Sequence, residues 1–198
     1  MFKIDALGKA CPLPVIETHK ALKEHDAVEI TVDNKIATEN LKKLSDDMGC
    51  TYTMTAESPT HYTVVLVKNT SKQFDETSQT ISPAKPQDNY IVVINSPMMG
   101  TGDETFGKQL LKTFIYTLTE QDVLPQTIIF YNGGVPLVTE GSESLDDLKK
   151  LASQGVSIYA CGACLNYYQL TDEVAVGEIT NMYRIVEIMR TADRIVRP

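Results

Sequence analysis

Between Asn69 and Asp88 the chain runs "NTSKQFDETSQTISPAKPQD", rich in Ser, Thr, Gln and Pro and without an apolar period of either 2 or 3.6 residues. Such a stretch cannot bury enough apolar surface to offset the entropy of ordering it, so it reads as a solvated linker. It interrupts a chain of 198 residues whose flanking segments are both periodic. Each flank is long enough for a small domain. The predicted organisation is a first domain over residues 1–69, a linker over 70–88 and a second domain over 89–198.

In the first segment "FKIDA" reads as a strand, and the helix after Cys11 is expected to place Val15, His19 and Leu22 on one face. "AVEITV" alternates Val28, Ile30 and Val32 inward, as a half-buried strand does. A second helix follows the Asp33-Asn34 cap, with Ala37, Leu41, Leu44 and Met48 at helical spacing and Gly49 as its stop. "CTYTMTA" and "HYTVVLV" are strands separated by the turn residues Ser58 and Pro59. The order βαβαββ predicts a two-layer α/β sandwich.

In the second segment "YIVVIN" is a nearly continuous apolar run, the signature of a strand buried on both faces. A helix is predicted from about Asp103 to Gln121, with Phe106, Leu110 and Phe114 on one face. "TIIFYN", the helix "SLDDLKKLASQG", "VSIYA", the helix "ITNMYRIVEIMRTA" and "DRIVRP" continue the alternation. The expected architecture is a three-layer α/β domain around a mainly parallel sheet.

Eight Lys and Arg stand against ten Asp and Glu up to Asn69, and ten against sixteen beyond it. Neither half offers a basic footprint, so no nucleic-acid partner is expected. No basic amphipathic helix and no apolar run of about 20 residues points to a membrane. "MFKIDALGK" lacks a signal-peptide core, and four cysteines do not make a disulfide framework in a chain of this length. The expected location is the cytoplasm, with reduced thiols.

"GKACPLPVIETHKALKE" places Cys11 directly before Pro12 and Pro14. Proline is tolerated in the first helical turn, so Pro12 is expected to be the first helical residue and Cys11 the N-cap. Sulfur is a poor cap, which suggests another use for Cys11. The two prolines remove amides from the turn and leave the N–H of Leu13 among the few donors near the sulfur. The helix dipole supplies about 0.3 to 1 kcal/mol toward a thiolate, less than roughly one pK unit. Lys9 would add to this if it faced the sulfur, and His19 is a candidate assistant to Cys11. The bland alternative is a small half-buried cysteine at a helix start.

"GDETFGKQ", from Gly102, nearly matches a phosphate-binding loop. Gln109 stands where a metal-holding hydroxyl is needed, and Asp103 suits a helix cap that would put Gly107 and Lys108 inside the helix. No nucleotide site is expected. "CGAC" carries more: it follows a short strand at its carboxyl end, where open α/β sheets place ligand crevices. Cys161 and Cys164 fit a dithiol/disulfide couple, a thiol that accepts and passes on sulfur, or two small core residues. Zinc would need ligands from the first segment, where Cys11, Cys50, His19, His25 and His61 all lie. No metal or cofactor is expected. Cys50, opening a strand after Gly49, reads as core.

"LGKACPLPVIETHKALKE" resembles the Cys-Pro-x-Pro motif of TusA/SirA-like proteins, whose cysteine carries a persulfide in a sulfur relay. "GTGDETFG", "YNGGVPLVTEGS" and "CGACLNYYQL" resemble a DsrE-type domain, and the pairing in one chain resembles the YedF proteins associated with selenium metabolism. The resemblance implies that Cys11 is the carrier thiol, with Pro12 and Pro14 shaping its turn. It puts the DsrE-like thiol on Cys161, with Cys164 as the resolving or second carrier thiol. It also implies a cysteine desulfurase or other sulfur or selenium donor, a thiol acceptor protein, and self-association into a homo-oligomer. Fusion raises the effective concentration of the two domains for each other, and about 20 linker residues span on the order of 25 Å. A redox sensor or adaptor, and a dithiol oxidoreductase using Cys161 and Cys164, are the alternative functions.

Overall fold

The computed structural model describes residues 1–10, 12–69 and 89–198; Cys11 and the expected linker at 70–88 lie outside the described residues. The chain divides into two compact units, Met1–Thr80 and Ile81–Pro198.

The first unit runs β1 (Phe2–Asp5), α1 (Leu13–Glu24), β2 (Ala27–Val32), α2 (Lys35–Asp47), β3 (Cys50–Ser58) and β4 (His61–Lys68). Its sheet has the order β1-β2-β4-β3, with β1 parallel to β2 and the other pairs antiparallel. Register pairs Val28 with Leu66 and Ile30 with Val64, and all four are fully buried. With Leu22 of α1 and Leu41 of α2 they form the core on one face of the sheet. The two-layer βαβαββ sandwich is therefore present.

Two details differ from expectation. Helix α1 begins at Leu13, with Pro12 in the N-cap position assigned above to Cys11 and Pro14 in the first turn. The N–H of Leu13 donates to the carbonyl of Ala10 at 3.0 Å, so that donor is already used. The buried stripe of α1 is Pro14, Thr18, Ala21 and Leu22, one step around from the predicted Val15, His19 and Leu22. Thr18 explains the offset. Its hydroxyl donates back to the Pro14 carbonyl at 2.7 Å, which satisfies the polar atom inside the helix and leaves the methyl to the core.

The second unit runs β5 (Tyr90–Ile94), α3 (Glu104–Leu118), β6 (Thr127–Phe130), a 3-10 segment (Asn132–Val138), α4 (Leu145–Ser153), β7 (Ser157–Cys161), α5 (Gly162–Tyr167), a 3-10 turn (Thr171–Glu173), β8 (Glu178–Thr180), α6 (Met182–Thr191) and β9 (Arg194–Val196). The sheet has the order β8-β7-β6-β5-β9 and every pair is parallel. From β5 the chain moves outward through β6 and β7 to β8, and its last crossover returns to β9 on the far side of β5. Right-handed crossovers running in opposite directions put helices on opposite faces. Tyr90, Val92, Ile94, Ile128 and Phe130 accordingly pack with Leu111 of α3, Leu148 of α4 and Leu165 of α5. Ile91, Val93, Ile129 and Cys161 pack on the other side with Ile185 of α6. This is the expected three-layer domain, with one element corrected: Ile179 and Thr180, expected to open the last helix, belong to the edge strand β8, and α6 starts only after the Asn181 cap.

The face of α3 is corrected. Its buried residues are Gly107, Leu111, Ile115 and Leu118, while Phe106 and Leu110 of the predicted face are exposed at 59% and 37%. Gly107 decides this. A Cβ there would lie 3.1 Å from Cβ of Met98 and 3.2 Å from the carbonyl oxygen of Met99, so the bare backbone lets the helix sit close against the loop after β5, where any side chain would press the loop back by a few tenths of an ångström. Asp103 is the N-cap and accepts the N–H of Phe106 at 2.8 Å, so Gly107 and Lys108 do lie in the helix.

Candidate functional site

In a parallel sheet all strands end on the same edge, and β6 and β7 are neighbours. The segments leaving these two strands bring Asn132, Cys161 and Cys164 together. Cys161 is the last residue of β7 and the N-cap of α5, and Cys164 follows in the first turn of that helix. N-cap and third helical positions face each other across the first turn, the geometry that a capping box exploits. The two thiols accordingly act on each other, Cys161 raising the pKa of Cys164.

The two sulfurs differ in access. Cys161 is 1% exposed, on the α6 side of the sheet among Ile91, Val93, Ile129 and Ile185. Cys164 is half-buried and touches the apolar clusters on both faces of the sheet. Both thiols are free. Of the pair, Cys164 is the one that solvent and reagents reach.

Cys164 Sγ accepts the backbone N–H of Asn132 at 3.1 Å. Burial pushes the Cys164 thiol above its ordinary range, the Asn132 amide pulls it down, and the neighbouring Cys161 pushes it up again; the net direction is upward. An amide aimed at sulfur is nevertheless the group that would hold an anionic sulfur once formed.

Asn132 itself has φ +48°, a left-handed conformation that Asn tolerates better than most residues. Its side-chain oxygen accepts the hydroxyl of Tyr168 at 3.2 Å, so the residue is held from both ends of α5. Gln169, with φ +59°, is the other non-glycine residue in this region of backbone space among the described residues. It stands just past the end of α5, where Leu170 N–H returns to the Leu165 carbonyl at 2.8 Å, closing the helix and presenting Tyr168. Gly134 wedges the Asn132 segment against β5: a Cβ there would fall 2.3 Å from the Ile94 carbonyl oxygen.

Asn132 and Tyr168 are missed by reading the sequence for nucleophiles and ligands. The available signal was Asn-Gly-Gly directly after a buried strand, which marks a tight approach of backbone to something.

Cys11 lies outside the described residues, so its geometry is not part of the site. The residues before it are well held. Gly8 N–H donates to Asp33 at 2.9 Å, and Leu7 N–H donates to Asp5 at 3.1 Å. Lys9 Nζ reaches both carboxylate oxygens of Glu17, at 2.7 and 2.8 Å. Its charge is thus engaged by Glu17. His19 is half-buried in α1. Cys50 is buried at the start of β3, 9% exposed, and burial pushes its thiol up with Lys68 opposing. No helix among the described residues is long and apolar enough to cross a membrane.

Residues 2–68 match the family model described as "Sulfurtransferase TusA", and residues 88–198 match the "DsrE/DsrF-like family". A Methanocaldococcus jannaschii protein named "Putative sulfur carrier protein" is 35% identical over 71 residues, which span 34% of this chain and 95% of that one. Among solved structures, a SirA-like protein from Desulfitobacterium hafniense is 38% identical, covering 34% of this chain and 96% of that chain with a TM-score of 0.33. A protein of unknown function from Methanobacterium thermoautotrophicum is 22% identical over 56% of this chain and 100% of that chain, with a TM-score of 0.43. The chain therefore belongs to the DsrE/DsrF-like family through its second unit and joins to it, in one polypeptide, a first unit of the TusA/SirA type.

Proposed function

We propose that this chain is a cytoplasmic carrier that receives sulfur or selenium at oxidation state zero from a donor protein and passes it to a thiol acceptor. Cys11 is the carrier thiol of the first unit, with Pro12 and Pro14 shaping its turn, and Cys161 and Cys164 form the sulfur site of the second. The observation that carries the reading is the half-buried Cys164, aimed at a backbone amide beside a second thiol on the ligand-binding edge of a parallel sheet. Transfer proceeds by thiolate attack on the outer sulfur of a persulfide, which requires an accessible thiol and a donor that holds the anion. A cysteine desulfurase is the expected class of donor, and homo-oligomerisation belongs to the same reading. The pairing of units supports a YedF-like role, with selenium as the alternative cargo.

The placement of Cys161 and Cys164 on one helical turn favours a second reading, a dithiol oxidoreductase in which the pair cycles through a disulfide and Cys11 is dispensable. A redox sensor or adaptor is the third. Intact-protein mass spectrometry after incubation with a cysteine desulfurase and cysteine separates them. The carrier predicts adducts of one sulfur atom on the wild-type chain that fall with Cys11→Ser. A reversible loss of two hydrogens with no sulfur adduct supports the oxidoreductase, and fully reduced thiols that take up nothing leave the adaptor.

A further inference from the structure

We infer that in the second unit Cys164 loads and Cys161 unloads: Cys164 receives the sulfur atom, Asn132 and Tyr168 position it, and buried Cys161 discharges it as sulfide. This inference rests on the carrier reading above for the loading step, adds a reductive release that competes with passage of the sulfur to a thiol acceptor, and reverses the order implied by resemblance, in which Cys161 is the primary thiol.

Access argues for the order. A protein or small persulfide must bring its outer sulfur to the attacking thiolate, and Cys161 is 1% exposed beneath α6 whereas Cys164 is half-buried. The Asn132 amide, 3.1 Å from Cys164 Sγ, is a fixed donor for the charge that forms there. Its aim depends on a left-handed residue, φ +48°, whose side chain is held by the Tyr168 hydroxyl at 3.2 Å. Conformations of this kind persist only where surrounding contacts over-determine them. Tyr168 is thus a positioning residue: it holds Asn132, and Asn132 holds the sulfur.

The chemistry closes in two steps. The Cys164 thiolate attacks the outer sulfur of a persulfide, the donor S–S bond breaks, the donor thiolate leaves with the electron pair, and Cys164 carries the sulfur as a persulfide. Cys161 then gives up its proton and attacks Cys164 Sγ. That S–S bond breaks and hydrosulfide leaves with the electron pair, the two cysteines being oxidised to a disulfide as the carried sulfur is reduced. A small dithiol reductant resets the pair.

The test uses the full chain as Cys11→Ser, reduced, with glutathione persulfide as the probe. Expected is a transient adduct of one sulfur atom, followed by sulfide release and a mass two hydrogens below the start, mapped to a Cys161–Cys164 disulfide. Adding Cys161→Ala should make the adduct persist on the order of tenfold longer with no sulfide, and adding Cys164→Ser should abolish it. An adduct on the Cys164→Ser chain, or a lifetime indifferent to Cys161, overturns the assignment. Because Cys161 is a core residue, iodoacetamide labelling of the chain with both thiols intact provides a second reading. Cys164 should label on the order of tenfold faster than Cys161, and equal or reversed rates overturn the order. Tyr168→Phe should slow loading by about two- to tenfold and move the alkylation profile of Cys164 to higher pH. Asn132→Gly, which keeps the amide and the left-handed backbone, should load faster than Asn132→Val. An unchanged profile in Tyr168→Phe overturns the positioning role. Sulfur on Cys11 of the wild-type chain with none on Cys164 overturns this inference and leaves the carrier standing, whereas no sulfur on any cysteine overturns both.

Discussion

Gly8 donates its backbone N–H to Oδ2 of Asp33 across 2.9 Å, while Asn34 donates to the other oxygen of the same carboxylate at 2.7 Å. One side chain at the end of β2 therefore ties down the segment that leads from β1 to the Cys-Pro-x-Pro motif, 25 residues earlier. Gly8, at φ +74°, supplies the turn that presents its amide.

The Asn34 side chain, and then the Gly8 amide, hold the Asp33 carboxyl below the usual carboxylate range. A group lowered in the folded state adds stability above its unfolded pKa, about 3.9, and loses it as pH falls through the folded value. Asp33→Ala should therefore destabilise β1 and β2 near neutral pH, with the difference from wild type shrinking below about pH 4. Amide hydrogen exchange against pH measures this, and a difference that does not change with pH would count against it. In the carrier assay the same variant should load Cys11 more slowly.

Lys9 and Glu17 form a two-pronged ion pair, and covalent connectivity keeps Lys9 two residues from Cys11. Glu17→Gln should release the ammonium charge and move the alkylation midpoint of Cys11 down by less than about one pH unit, the scale of an exposed ion pair. The double variant Lys9→Gln/Glu17→Gln should return toward the wild-type midpoint. A single variant indistinguishable from wild type would show that Lys9 does not act on the sulfur.

Cys50 is the internal control for thiol chemistry. Burial raises its pKa, so its contribution to stability is complete below the unfolded thiol value, about 8.5, and is lost as pH climbs through the folded value. Cys50→Ala should make the first unit less sensitive to alkali above about pH 8.5, and wild-type Cys50 should resist alkylation at neutral pH. Labelling of Cys50 in native protein as fast as Cys164 would contradict its place in the core.

Gly134 sits where a methyl group would meet the Ile94 carbonyl at 2.3 Å. Gly134→Ala should push the Asn132 segment off β5, costing about 1 to 3 kcal/mol as overpacking does, and slow alkylation of Cys164 by disturbing its amide. Hydrogen exchange of β5 and β6 reads the first effect and labelling kinetics the second. Loss of stability with no change at Cys164 would separate the packing of this loop from the site.

Much of this was legible in the sequence because it depends on local pattern. Asn34 and Asp103 cap their helices as read, since capping joins residues three apart. The all-apolar run of β5 announces a strand covered on both faces. The faces of α1 and α3 were misjudged for a common reason. Apolar spacing favoured Val15 and Phe106, but close approach to the sheet and to the Met98 loop selected the small residues Thr18, Ala21 and Gly107. Steric fit outweighed hydrophobicity in choosing the buried side.

Although β8 was hidden in the segment expected to open the last helix, the sequence by itself determined the element order of the first unit, the Cys-Pro-x-Pro and Cys-x-x-Cys motifs, and the placement of the second pair at the carboxyl end of a strand. These are properties of residues near one another in the chain, where backbone sterics and side-chain period act. Only the tertiary structure decided that Cys161 is enclosed beneath α6, that Cys164 is left half-buried, and that the donor to its sulfur is the amide of Asn132, 32 residues away. That last contact exists because β6 and β7 lie side by side in register, and such pairing depends on sheet packing that no local period encodes.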